Sequence, residues 1–281
     1  MLIQKLARFA RPLSGKTSWR SSNLAGAVVR IADLPVKARL AGIDFDVYVS
    51  LSKNSRLLIR DDFESEQRRK FVALLRKLQP KIFYDIGANF GLYSWIAKSI
   101  CPECIVVCLE PDASNVRLLK KTIRENRIDR IFVIQKAVSN AEGRMAFFRD
   151  ELTGGTGSLE HPAARESFVQ RKFGRAPAIV EVETTTVDSL VSRFGEPDLM
   201  KIDVEGAELS VLEGAMGLLE RRPPPTFLET ATDNKQRVGE KLSPFYRFFR
   251  MKSWTETEQP AFNSLLLPRR FGSDFLEDIE I

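Results

Sequence analysis

An apolar run, Ile82-Phe83-Tyr84-Asp85-Ile86, enters the glycine turn Gly87-Ala88-Asn89-Phe90-Gly91, and helical spacing follows at once over 91–99. This junction constrains the fold more than any other feature. A buried strand delivered into two glycines and a helix start opens a βαβ unit, with free backbone N–H groups where strand and helix meet. The rhythm continues with apolar runs at Cys104–Leu109 and Ile131–Ile134 around a helix over 112–126. It resumes later as helix 187–194, strand Leu199–Asp203, helix 206–220, strand Thr226–Glu229 and helix 234–249. Alternation of this kind predicts an α/β fold, with a mostly parallel sheet covered by helices on both faces. Phe262–Leu267 reads as a closing strand, antiparallel at or near the sheet edge.

Two stretches break the rhythm. Lys37–Leu40, Phe45–Ser50 and Ser55–Arg60 read as short strands, followed by a helix over 64–79 that Pro80 closes. Met145–Phe148 and Ile179–Thr185 read as a strand pair enclosing residues 150–178, which hold Gly154, Gly155, Gly157, His161 and Pro162. A connection this long inside a compact domain is expected to act as a lid or binding loop. The predicted organisation is a basic segment with a short β appendage over 1–60, then one domain over 61–281 with 150–178 as its substrate loop.

Charge is unevenly spread. The chain carries 43 basic and 37 acidic residues, but residues 1–40 hold eight Lys or Arg against Asp33 alone. The rest therefore has 35 basic and 36 acidic side chains, a near-neutral body that argues against a nucleic-acid footprint. Leu2, Ile3, Leu6, Phe9 and Leu13 fall roughly on one helical face interrupted by Lys5, Arg8 and Arg11. That pattern suits a helix docked on the body, a peripheral membrane contact through residues 1–20, or an organellar targeting segment. No apolar run is long enough for a membrane-spanning helix. Cys101, Cys104 and Cys108 are an odd, clustered set, read as buried free thiols in a reducing cytoplasm. Ser14-Gly15-Lys16-Thr17 resembles the end of a P-loop, but Ala10 stands where its first glycine belongs.

The residues that carry chemistry sit at predicted strand ends. Gly87 and Gly91 let a ligand approach the backbone, and the helix start can accept a carboxylate. Glu110, ending the second strand as Leu109-Glu110-Pro111, is placed to hold the two hydroxyls of a ribose. A dinucleotide fingerprint would place a further glycine where Phe90 stands. Lys201-Ile202-Asp203-Val204-Glu205-Gly206-Ala207-Glu208 spends three charges on a strand that is otherwise buried, which marks its end as a site. Lys201 and Glu208 read as a network fixing the turn. Asp203 and Glu205 are candidates for substrate contact, general base or metal ligand.

Taken together, Asp85-Ile86-Gly87-Ala88-Asn89, Glu110-Pro111, Thr185-Thr186-Val187-Asp188-Ser189-Leu190 and the Lys201–Glu208 block resemble the FkbM family of S-adenosylmethionine (SAM)-dependent methyltransferases. The resemblance spans roughly residues 60 to 268. It implies a class I Rossmann-like fold with a seven-stranded, mostly parallel sheet, and O-methylation of a hydroxyl on a sugar, glycolipid or secondary metabolite. It also implies that Asp85, Gly87, Asn89 and Gly91 line the methionine end of SAM, with Tyr93 and Ser94 completing that wall. Glu110 would hold the ribose, Ala137 would sit by the adenine, and Asp203 and Glu205 would face the transferred methyl. Glu229 fills the place where many members carry an acid at the next strand end.

The implied reaction is an in-line displacement, in which a base accepts the acceptor's proton. Asp203, Glu205 and His161 are the candidates for that base. Asp203, Glu205 and Glu229 offer oxygen ligands that suit Mg²⁺, although no spacing compels a metal. A nicotinamide-dependent oxidoreductase and a non-catalytic SAM-binding protein are the rival readings, and a small-molecule or glycan acceptor is the expected partner.

Overall fold

The computed structural model describes residues 35–50, 64–149, 157–159, 178–230, 232–277 and 279. Two short strands come first, β1 (Pro35–Ala38) and β2 (Val47–Ser50), and then α1 (Ser65–Leu78). The first βα series is β3 (Ile82–Ile86), α2 (Leu92–Ile100), β4 (Ile105–Leu109), α3 (Ala113–Asn126) and β5 (Ile131–Ile134). Next come β6 (Ala137–Val138), β7 (Gly143–Arg149), β8 (Ala178–Thr185) and α4 (Val187–Phe194). The chain then forms β9 (Leu199–Ile202), α5 (Glu208–Glu213), α6 (Met216–Arg221), β10 (Thr226–Glu229) and α7 (Lys235–Leu242). It closes with β11 (Tyr246–Arg250), β12 (Glu256–Thr257) and β13 (Asn263–Pro268).

The main sheet has the order β12-β11-β13-β10-β9-β3-β4-β5. The strands β5, β4, β3, β9 and β10 pair parallel, and β13 pairs antiparallel with both β10 and β11. This is the expected Rossmann-like sheet, with a two-residue strand added at one edge. The closing strand is antiparallel as anticipated and is the third strand from one edge, inside β11 and β12. Alternation along β3 divides the core. Phe83 belongs to a cluster with Phe71, Trp95 and Leu119 from α1, α2 and α3. Tyr84 and Ile86 face Leu190, Leu212, Leu218 and Val238 from α4 to α7.

Two helical expectations are corrected. The helix expected over 234–249 ends at Leu242, and Tyr246–Arg250 is a strand. Tyr246 and Phe248 bury in the second core while the backbone pairs with β13, so tertiary pairing of an aromatic-rich stretch prevails over helical spacing. The helix expected over 206–220 is two short helices. Glu205 and Gly206 adopt φ of +53° and +115°, which delays the start to Glu208. Gly214 then passes against the Ser139 carbonyl, where a Cβ would come within 2.1 Å of the oxygen.

The pair anticipated around residues 150–178 is present as β7 and β8, in the register Met145↔Val182, with β6 on the far side of β8. A bridge between Phe148 and Ser158 brings Gly157–Leu159 onto β7. The strands β1 and β2 form a separate ribbon against α3, where Tyr48 N donates to Thr122 Oγ1 at 2.9 Å. The expected strand Ser55–Arg60, the amphipathic stretch 2–13 and most of 150–178, including His161, lie outside the described residues. No helix among the described residues is long and apolar enough to cross a membrane. All three cysteines are buried and free, with burial pushing the Cys104 thiol up to about 12.

Candidate active site

The chain leaves β3 for β4 and β5 on one side and returns through β9 and β10 on the other, so a crevice opens beyond the carboxyl ends of β3, β4 and β9. It is lined by Gly87, Asn89, Glu110, Ala137, Asp203 and Glu205 among others.

The glycine turn builds the floor. Gly87 adopts φ +76° and Asn89 φ +55°, two left-handed positions within three residues. The N–H groups of Gly87 and Ala88 both donate to Leu109 O at 3.0 Å. Asn89 N donates to Glu110 Oε2 and Asp112 N to Glu110 Oε1, each at 2.8 Å. Glu110 thus ties the turn to the tip of β4. Its burial pushes the carboxyl up to about 7, against the pull of those two N–H groups.

Three predicted residues support the floor from behind and do not line the crevice. Asp85 is 1% exposed, and its Oδ2 accepts from Ser94 Oγ at 2.6 Å and Ser94 N at 3.1 Å. Its Oδ1 has no hydrogen-bond partner among the described residues, and burial raises its pKa. Ser94 is fully buried against Asp85 and Cys108. Gly91 caps α2 at φ +95°, pressed against Leu119 and Trp95.

A second, smaller pocket adjoins the first, and Asp203 lines both. Tyr93 faces this second cavity and donates its hydroxyl hydrogen to Glu64 Oε2 at 3.0 Å. At the β9 tip, Lys201 Nζ lies 2.9 Å from Asp203 Oδ2 and 5.0 Å from the centre of the Tyr93 ring. Burial alone would lower the Lys201 pKa, but Asp203 and Asp85 outweigh it and raise the pKa above its ordinary value. Carboxylate oxygens of Asp203, Glu205 and Glu229 lie within 4.8 Å of one another. Burial, then Asp203 and Glu205, push the Glu229 carboxyl up to about 9. Three such oxygens could hold a hard cation such as Mg²⁺. A proton on Glu229 relieves the same repulsion without one.

The turn after β9 is held as a network, as Glu208 suggested. Glu208 Oε1 accepts from Gly206 N at 2.6 Å, and Asn234 Nδ2 donates to Glu208 Oε2 at 2.9 Å and to Gly206 O at 2.6 Å. Several site residues escaped the sequence reading. Asp112, Asn115, Phe147 and Arg149 line the first cavity, and Glu64 the second. Asp112 could have been found, because it caps α3 by accepting from Ser114 N at 2.6 Å. Glu64 and Phe147 carry no local signal, since only the fold brings them to the strand tips.

Residues 85–255 match the model of the methyltransferase FkbM domain family. Methyltransferase sdnD of Sordaria araneosa is 28% identical over 152 residues, an alignment that takes in 46% of this chain and 58% of that protein. The crystal structure of methyltransferase FkbM from Methylobacillus flagellatus KT superposes with a TM-score of 0.45 at 18% identity, over 67% of this chain and 44% of that one. The SAH-bound methyltransferase PaMTH1 of Podospora anserina gives a TM-score of 0.37 at 12% identity, over 77% and 73% of the two chains. The chain thus spans less than two thirds of the sdnD and Methylobacillus proteins. The family match begins at the Asp85 turn and takes in Glu110, the Asp203–Glu205 turn and Glu229, and the chain belongs to the FkbM family of methyltransferases.

Proposed function

We propose that this chain transfers a methyl group from SAM to a hydroxyl oxygen of a sugar, glycolipid or secondary metabolite. The observation that carries this reading is the crevice that runs over the Gly87 backbone from the Glu110 carboxylate to the carboxylates of Asp203 and Glu205. The donor set fits the cofactor. Glu110 would accept from ribose hydroxyls, Ala137 offers an apolar wall to a base, and the Gly87 floor leaves no side chain in the way. Bound there, SAM supplies an electrophilic methyl group on a cationic sulfur.

The protein's own part is to orient the acceptor oxygen and take its proton. Asp203 lines both cavities and is fixed by Lys201, which suits it to receive that proton. Glu205 stands beside it. Burial and its acidic neighbours push the Glu229 carboxyl up to about 9, which favours its protonated form and makes Asp203 the better placed base. His161, which lies outside the described residues, stays a further candidate for that base. The unit 61–281 would be the catalytic domain, and three free cysteines suit a reducing compartment such as the cytoplasm.

Transfer of tritium from methyl-labelled SAM to hydroxylated acceptors tests the reading. Labelled product that disappears in Asp203→Asn supports it. Binding of SAM without transfer to any acceptor would favour a non-catalytic SAM-binding protein, and binding of NAD in place of SAM would favour an oxidoreductase.

A further inference from the structure

The geometry points to Phe147 as the residue that stacks on the purine of the cofactor, with the short segment 157–159 holding its ring in place. The inference rests on the methyltransferase reading above. The strands β7 and β8 stand outside the parallel sheet, and the sequence suggests that they frame a substrate loop. Their described end serves the cofactor crevice instead. Phe147, Arg149 and residues 157–159 line that crevice, and none of them lines the second pocket beside Glu229.

The sheet order fixes which end of the crevice they reach. β9 pairs with one side of β3 and β4 with the other, so Asp203 and Glu110 mark opposite ends. Arg149 Nε lies 3.9 Å from Asp112 Oδ2, and Asp112 N donates to Glu110 Oε1 at 2.8 Å. β7 thus meets the crevice at the Glu110 end, where the adenosyl group would lie. Strand alternation puts Phe147 on the same face as Arg149. Phe147 is the one aromatic side chain lining the crevice among the described residues, and Pro111, Ala137, Val138 and Leu159 add apolar walls. An aromatic face in an apolar slot suits the π-face of a planar base.

The ring is held by the protein itself. Phe148 N donates to Ser158 O at 2.8 Å and Ser158 N to Phe148 O at 3.2 Å, which fastens 157–159 beside β7. Gly157 then passes the tip of the Phe147 ring so closely that a Cβ there would lie 2.4 Å from Cζ. Any larger residue at 157 would displace the ring. Phe147 is only 5% exposed although it borders the crevice, so packing sets its orientation. A wall ordered in advance binds a base without the entropy cost of immobilising a side chain.

The experiment uses the full chain and S-adenosylhomocysteine with a carbon-13-labelled adenine. In the wild type at saturation, the Phe147 ring current should move the adenine H2 or H8 resonance upfield of its free position. Phe147→Tyr should keep that shift and bind within about twofold of the wild type by calorimetry. Phe147→Leu, of similar bulk but without a π-face, should lose most of the shift and bind about tenfold more weakly. Gly157→Ala should weaken binding in the wild type and add little to Phe147→Leu, because its effect passes through the ring. Thermal melts confirm that the variants are folded, and the wild-type shift decides alone where one is not. An unshifted adenine in the wild type, or the same shift and affinity in Phe147→Leu, overturns the inference. Weaker binding in the Tyr and Leu variants alike, with the shift unchanged, also overturns it, because Phe147 would then only support the fold. Wild-type protein that binds no S-adenosylhomocysteine contradicts the methyltransferase reading itself, a distinct outcome.

Discussion

Gly87 passes so close to the Asp203 carbonyl that a Cβ at position 87 would lie 1.8 Å from its oxygen. The tips of β3 and β9 are therefore in backbone contact, and the crevice floor has no room for a methyl group. Gly87 also sits at φ +76°, which disfavours any side chain. Gly87→Ala should destabilise the protein by at least about 2 kcal/mol and abolish SAM binding. A denaturant melt and a binding titration check both.

Glu110 must be ionised to accept hydrogen bonds from a ribose at full strength, yet burial holds its proton until about pH 7. Binding therefore releases a proton below that pH. SAM affinity should rise about tenfold per pH unit up to about 7 and level off above it. Titrations across buffers should show this slope in the wild type and its absence in Glu110→Gln.

Glu229 makes the free protein sensitive to pH in a defined direction. Its folded pKa of about 9 exceeds the ordinary 4.5, so the folded state keeps a proton that the unfolded chain has released. The stability it contributes is full below pH 4.5 and is lost as pH climbs through about 9. Melting temperature should fall across that window in the wild type. Glu229→Gln should flatten the profile, although Glu110 keeps part of the slope up to about 7.

Asp203 is placed to take the acceptor's proton, and Lys201 to hold it in position at 2.9 Å. Asp203→Asn should lower kcat by about 10²-fold or more with little change in SAM affinity. Lys201→Met should leave Asp203 and Asp85 without their shared cation and shift the pH–rate profile. A structural role alone would lower both activities without moving that profile.

Legibility in the sequence followed how local each signal was. The Asp85–Gly91 turn, the Glu110 tip and the Lys201–Glu208 block are contiguous strings whose charges and glycines have no role in an ordinary buried strand, and each occupies a strand end in the fold. Tyr246–Arg250 misled because Phe245, Phe248 and Phe249 also fit a helical stripe, and only pairing with β13 decides for strand. Asp85 and Ser94 read as cofactor contacts, yet their bond at 2.6 Å fixes α2 to β3 from behind the turn. Glu64 was invisible, since a lone acid before a helix acquires meaning only when α1 packs beside Tyr93 and Lys201.

The central claim is that Glu110 and the Gly87 turn grip the adenosyl end of SAM while Asp203 and Glu205 face its methyl. Calorimetric titration of S-adenosylhomocysteine into wild-type protein and Glu110→Ala tests it most directly. Saturable one-site binding in the wild type, weakened about a hundredfold in the variant, is the predicted result. No heat with folded wild-type protein, or equal affinity in the two, would contradict it.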